Sequence, residues 1–185
     1  MKLIFLLSII IYTFSYDREG AVNYAYKYAE TPNHACGSYY SCTPCSYWGE
    51  EACGYPSQGG DCANFVSQCL VLGGNHPKLN GGSEICRGYP CGFEEIGAWE
   101  LGECLSLKGW TSTCGYRQAP PDNIKPGDVL IYHSDGCNSG ASHAVLVTKG
   151  GPNAKITCHS SVKIDVDYDY QAYSKPYYHW LHYEG

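Results

Sequence analysis

Cys62 is the residue whose surroundings argue most directly for chemistry. It follows Asp61, a residue suited to cap a helix. Cys62, Phe65, Val66, Cys69 and Leu70 then recur on one helical face until Gly73-Gly74. A cysteine in the first turn of a helix meets unpaired N–H groups and a partial positive charge, and both favour thiolate over thiol. Such placement, particularly beside an imidazolium, can bring a cysteine pKa from ~8.5 into the range of roughly 3.5–7.5, and the thiolate is the nucleophilic form. Gly59 and Gly60, just upstream, would let a substrate backbone approach closely and let the chain turn sharply into the helix.

A nucleophilic cysteine needs a base, and the base needs a group to orient it. Of the seven histidines, His143 opens one β-prone run and His159 closes the next. If the two runs pair antiparallel across a short turn, both histidines stand at one end of the sheet. A Cys62 helix packed on that end completes a Cys–His–polar constellation. The other reading of the same spacing places Cys62 in a disulfide and leaves both histidines as half-buried strand residues.

The elements that must hold these groups can be read from pattern. Asp17 caps a helix over 17–30, with Val22, Ala25, Tyr26 and Ala29 at spacings of three and four. A glycine- and cysteine-rich loop over 36–60 leads to the Cys62 helix. A second irregular stretch over 75–93 leads to a short helix marked by Ile96, Trp99, Cys104 and Leu105. Pro126-Gly127-Asp128 is turn chemistry before a strand over 129–132, and strands over 143–148 and 155–159 flank the turn Gly150-Gly151-Pro152-Asn153. Residues 177–183 could close the sheet. Helices first and antiparallel strands after them make an α+β chain rather than a βαβ one.

The 185 residues divide into a leader over 1–15 and one domain over 16–185. Lys2 and the apolar run from Leu3 to Ile11 have the form of a secretion signal, too short to span a membrane. The formal charge of −6 becomes −7 once Lys2 is removed, which argues against nucleic acid or an anionic membrane as the main partner. Twelve cysteines in a secreted chain point to disulfides. Cys42-Thr43-Pro44-Cys45 has the spacing of half a zinc site, but no second ligand pair follows, so disulfide use is the better reading.

Other signals have plain explanations. The eighteen tyrosines could stack on sugars, yet a mixture of core and loop packing accounts for them. His179 and His182, three apart on a strand, point to opposite faces and should not share a metal. Asp165 and Asp167 read as solvated edge charges. Asn64 and Gln68 read as helix–loop hydrogen-bonding residues.

The run Gly59-Gly60-Asp61-Cys62-Ala63-Asn64-Phe65-Val66-Ser67-Gln68-Cys69-Leu70 closely resembles the nucleophile helix of the putative amidase-domain family. That family is placed in the papain-like superfamily of NlpC-like and CHAP cysteine hydrolases. Tyr16-Asp17-Arg18 with Ala21-Val22 is similar to its first helix. Pro126-Gly127-Asp128 and Ser142-His143-Ala144-Val145 are similar to later landmarks. The resemblance implies that Cys62 is the nucleophile, His143 the general base and His159 the polar residue that orients the base. It also implies that Cys69 is a buried packing thiol. The twelve cysteines then resolve into five bridges, one packing thiol and one reactive thiol. The cysteine-bearing loops depart from the simpler family pattern. The backbone N–H of Cys62 is expected in the oxyanion hole, with Gln58 or Tyr55 as a second donor.

The expectation is therefore an α+β, papain-like fold with disulfide-braced loops, in which the nucleophile helix packs on an antiparallel sheet. Its function would be hydrolysis of an amide or peptide bond at a Cys–His–His site, in bacterial cell-wall peptides or other peptides, with no metal or cofactor. The chain is expected to be secreted, monomeric, and apart from nucleic acid and membrane. The competing class is an inactive secreted binding module on the same scaffold.

Overall fold

A computed structural model describes residues 15–30, 62–76, 97–159 and 162–185. Among these residues three helices, α1 (Arg18–Tyr28), α2 (Cys62–Gln68) and α3 (Ala98–Leu107), accompany six strands. The strands are β1 (Thr111–Tyr116), β2 (Val129–His133), β3 (Ala141–Lys149), β4 (Lys155–Cys158), β5 (Lys163–Asp167) and β6 (Tyr177–His182). They form one antiparallel sheet in the order β1-β6-β2-β3-β4-β5. The chain is thus α+β, as its pattern predicts. The loop cysteines Cys36, Cys42, Cys45, Cys53, Cys86 and Cys91, the cap Asp61, and Tyr55, Gln58, Gly59 and Gly60 lie outside the described residues. No helix among the described residues is long and apolar enough to cross a membrane.

α1 starts where Asp17 predicts. Its carboxylate accepts from the Gly20 N–H at 2.8 Å, and Ala21, Val22 and Ala25 form the buried face. α2 continues without a break into a wider π-helical turn, Cys69–Gly73. α1 packs against that turn at glycines. A Cβ on Gly20 would lie 2.4 Å from the Gly73 carbonyl oxygen, and one on Gly73 would lie 2.4 Å from Cβ of Tyr24. The Gly73-Gly74 pair therefore stops the helix and also brings α1 close.

Both faces of the sheet are covered, so β2 reads as continuously apolar rather than alternating, with all five residues buried. On one face Val129, Ile131, Ala144, Leu146 and Leu181 pack against α1, α2 and α3. On the other, Leu130, Tyr132, Val145, Val147, Ile156, Cys158, Tyr178 and Trp180 are covered by Val166, Tyr168, Tyr170 and Ala172. β1 has no counterpart in the sequence pattern: Thr111-Ser112-Thr113 is polar and exposed, an edge held by pairing to β6. Asp165 and Asp167 lie exposed on the opposite edge strand, as expected, but each is bonded. Asp165 accepts from Tyr26 and Thr148, and Asp167 pairs with Lys155 at 2.6 Å.

Asp128 does more than start β2. Its buried carboxylate accepts from Arg18 at 2.6 Å, from Nδ1 of His182 at 2.7 Å and from the backbone N–H of Lys125 at 2.7 Å. Arg18 also donates to the Tyr183 carbonyl. The knot ties α1, the β2 turn and the end of β6 together. Gly127, with φ +86, makes that turn possible.

The cysteine arithmetic is corrected by Cys158. Cys114 and Cys137 form a disulfide that ties β1 to the connection between β2 and β3, and Cys104 is also disulfide-bonded. Cys62, Cys69 and Cys158 carry thiols. Five bridges would need ten of the twelve cysteines, and three thiols leave too few. Cys158 closes β4 facing the second core, where it packs as an apolar group would.

Candidate active site

Cys62 opens α2 and is buried. The apolar repeat Phe65, Val66, Cys69 and Leu70 faces the core, and α2 leans on β3 through Phe65 and Val66. Cys62 carries a thiol and is not in a disulfide. Cys69, on the same helix and fully buried, is a packing thiol whose proton is held by burial well beyond the ordinary range.

His143 lies near the start of β3, opposite Tyr132 of β2. It shares the Val145 and Val147 face, and its ring stacks on Tyr132 with centroids 5.9 Å apart. Its Nε2 lies 2.9 Å from the Tyr170 hydroxyl. Burial, and then the nearby Lys175 charge, bring its pKa down to about 3. The ring is therefore neutral throughout the neutral pH range and can accept a proton.

His159 follows β4 directly, so β3 and β4 do present their two histidines at the same end of the sheet. The rings take up different contacts. His159 donates from Nε2 to the Tyr28 carbonyl at 2.6 Å and stacks on Phe65 at 3.9 Å, on the helix side. It thereby links β4 to α1 and α2.

Three further residues complete the cluster, and sequence reasoning did not single them out. The Tyr170 hydroxyl meets His143, lies 3.5 Å from Sγ of Cys158, and accepts from Gln171 at 2.8 Å. Burial pushes the Cys158 thiol up to about 11 and raises Tyr170 beyond its ordinary range, so both keep their protons. Lys175 is partly buried, which lowers its pKa, while the nearby sulfurs of Cys62 and Cys158 act the other way. The charge of a Cys62 thiolate is felt at Cys158, Tyr170 and Lys175. Cys62, His143, Cys158, Tyr170 and Lys175 therefore form one neighbourhood. Tyr170 and Lys175 reach it from the segment that covers the second core. Only a run of tyrosines marks that segment in the sequence.

The remaining candidates fall elsewhere. His182 belongs to the Asp128 knot, and His179 lies beside His133 with ring centroids 5.6 Å apart. The two thus serve different sites, as their spacing predicts. Gln68 accepts from the Tyr24 hydroxyl at 3.1 Å, a packing hydrogen bond. Among the described residues no group of three or more His, Cys, Asp or Glu side chains could hold a metal ion.

The family described as putative amidase domain matches residues 15–181. A Bacillus subtilis (strain 168) protein described as uncharacterized protein YhbB is 25% identical over 153 residues, 77% of this chain and 40% of that protein. The chain thus spans less than half the length of that relative. No solved structure matches.

Proposed function

The chain belongs to the putative amidase domain family, and from that premise we propose that it hydrolyses an amide or peptide bond with Cys62 as nucleophile and His143 as general base. The observation that supports this most is that a neutral, buried His143 bonds Tyr170, a residue on which the charge of a Cys62 thiolate also acts. The proposal includes membership of the papain-like superfamily, whose order of nucleophile helix, then base strand, this chain follows.

In this reading His143 takes the thiol proton as Cys62 attacks the carbonyl carbon. The tetrahedral adduct collapses to a thioester, and the proton on His143 passes to the leaving amine. Water, deprotonated by the same ring, then cleaves the thioester and restores the thiol. A base with a pKa of about 3 does not hold a standing thiolate–imidazolium pair. Proton transfer therefore accompanies attack, and the Lys175 charge favours the sulfur as it becomes anionic. His159 is the third member. Through Phe65 and Tyr28 it ties β4, the neighbour of the base strand, to α2 and α1.

The chain carries disulfides, which fits the oxidising compartment that its apolar N-terminal run implies. Bacterial cell-wall peptides are the substrate class proposed first, by resemblance, with other secreted-phase peptides second. Cys62→Ala, assayed on peptidoglycan fragments and on simple peptide amides, is expected to abolish hydrolysis with an unchanged unfolding profile. Retention of wild-type turnover would refute the nucleophile assignment.

A further inference from the structure

We propose that Tyr170 is the residue that positions the base, by fixing which nitrogen of His143 carries the proton. This rests on the hydrolase reading and adds to it the group that makes His143 competent.

A phenol hydroxyl has one proton to give and two lone pairs. Tyr170 meets three groups: His143 Nε2 at 2.9 Å, Gln171 Nε2 at 2.8 Å and Cys158 Sγ at 3.5 Å. Gln171 can only donate through its amide nitrogen, so it takes one lone pair. The other lone pair and the proton are divided between His143 and Cys158, which leaves two complete arrangements. In the first, His143 donates from Nε2 to the hydroxyl, and the hydroxyl donates to Cys158. In the second, the Cys158 thiol donates to the hydroxyl, and the hydroxyl donates to Nε2. The first is the assigned arrangement, since it leaves Nδ1 without a proton and able to act as the base. Burial keeps the phenol proton in place to be given.

The two arrangements differ in function. In the first, Nδ1 has no proton and its lone pair can receive the Cys62 proton. In the second, Nδ1 carries the proton and the base is blocked. Which proton a histidine carries is set by the partner of its other nitrogen, and Tyr170 is that partner. The hydroxyl is itself held in place. Tyr132 stacks on His143 and meets the Tyr170 ring edge-on, with centroids 5.8 Å apart. With Nε2 of His143 committed to Tyr170 and Nε2 of His159 committed to the Tyr28 carbonyl, the partner seen at the base is Tyr170. The orienting role that resemblance gives His159 thus passes to Tyr170, and His159 acts on the helices instead.

Two measurements test this. Nitrogen NMR of imidazole-labelled protein at neutral pH, with the His143 signal identified by its loss in His143→Gln, should show Nε2 protonated and Nδ1 bare. A protonated Nδ1 would overturn the proposal even if Tyr170→Phe fails to fold. In Tyr170→Phe the alkylation of Cys62 by iodoacetamide and kcat should fall about 10- to 100-fold, the worth of one hydrogen bond to a group that becomes charged, with KM little changed. Cys158→Ala removes the acceptor of the phenol proton and should lower both rates in the same sense, by less than Tyr170→Phe does. If Cys62 is reactive in the wild type and Tyr170→Phe changes neither rate, the positioning role is wrong and the hydrolase reading stands. If Cys62 resists alkylation in the wild type while the tautomer is as expected, the hydrolase reading fails instead.

Discussion

The two ends of β2 bury polar groups to opposite effect. At its start, Asp128 faces a guanidinium, an imidazole and a backbone N–H, and every bond closes on another element of the fold. At its far end, Tyr132 stacks on a histidine whose partners among the described residues are a phenol and a lysine. In the first case a buried charge is matched by opposite charge and hydrogen bonds, which is the condition for burying one at all. In the second, burial is left to act on proton affinities. It lowers that of His143 and raises those of Cys158 and Tyr170. Displaced proton affinities in a polar cluster are a signature of chemistry, and satisfied ones are a signature of architecture.

The largest effect expected from breaking this contrast is on stability, at the Asp128 end. Asp128→Ala leaves Arg18, His182 and the Lys125 N–H without their acceptor, and removing one member of a buried ion pair costs about 3–5 kcal/mol. Urea unfolding measures it. A loss no larger than that of an exposed ion pair, about 1 kcal/mol or less, would mean the knot is ornamental.

An intermediate effect is expected at the opposite end, on pH dependence rather than stability. The acid limb of kcat/KM reports the protonation of His143 in the uncombined enzyme, so it should fall at about pH 3. Burial is the main cause and Lys175 the second, since a neighbouring cation disfavours the imidazolium. Lys175→Gln removes the second cause only. The limb should move to higher pH yet remain below 6.5, because burial persists. An unmoved limb would separate Lys175 from the base.

How far the sequence reveals each end follows from the range of the contacts. Helix α1 is legible because its cap and its apolar repeat are local, and α2 is legible from its apolar repeat for the same reason. The β3–β4 pair was legible because the turn between them is short. Asp128 was legible only as a turn residue, since its charge partner Arg18 lies 110 residues away. Tyr170 could not be picked out, being one of eighteen tyrosines whose distinguishing contact, with His143, spans 27 residues and a chain reversal. The thiol of Cys158 is not legible, because the parity of cysteines says nothing about which ones face an apolar layer. β1 escaped because an edge strand covered on neither face shows no apolar alternation.

The smallest expected effect concerns the other face at the far end of β2. His179 sits beside His133, the last residue of that strand, whose Nδ1 is already bonded to the Ser139 carbonyl at 2.9 Å. Burial, and then His133, lower the His179 pKa from 6.5 to about 4. The unfolded chain therefore binds a proton that the folded chain refuses in that interval. Stability from this group is complete above pH 6.5 and is lost as the pH falls towards about 4. His143 contributes with the same sign over a wider interval, down to about 3. His179→Gln should consequently lose less stability than wild type between those two pH values, while keeping the part due to His143. Urea midpoints for both proteins at pH 6.5 and at about pH 4 supply the comparison. Equal losses would show that the ring on the helix face titrates as it does in water.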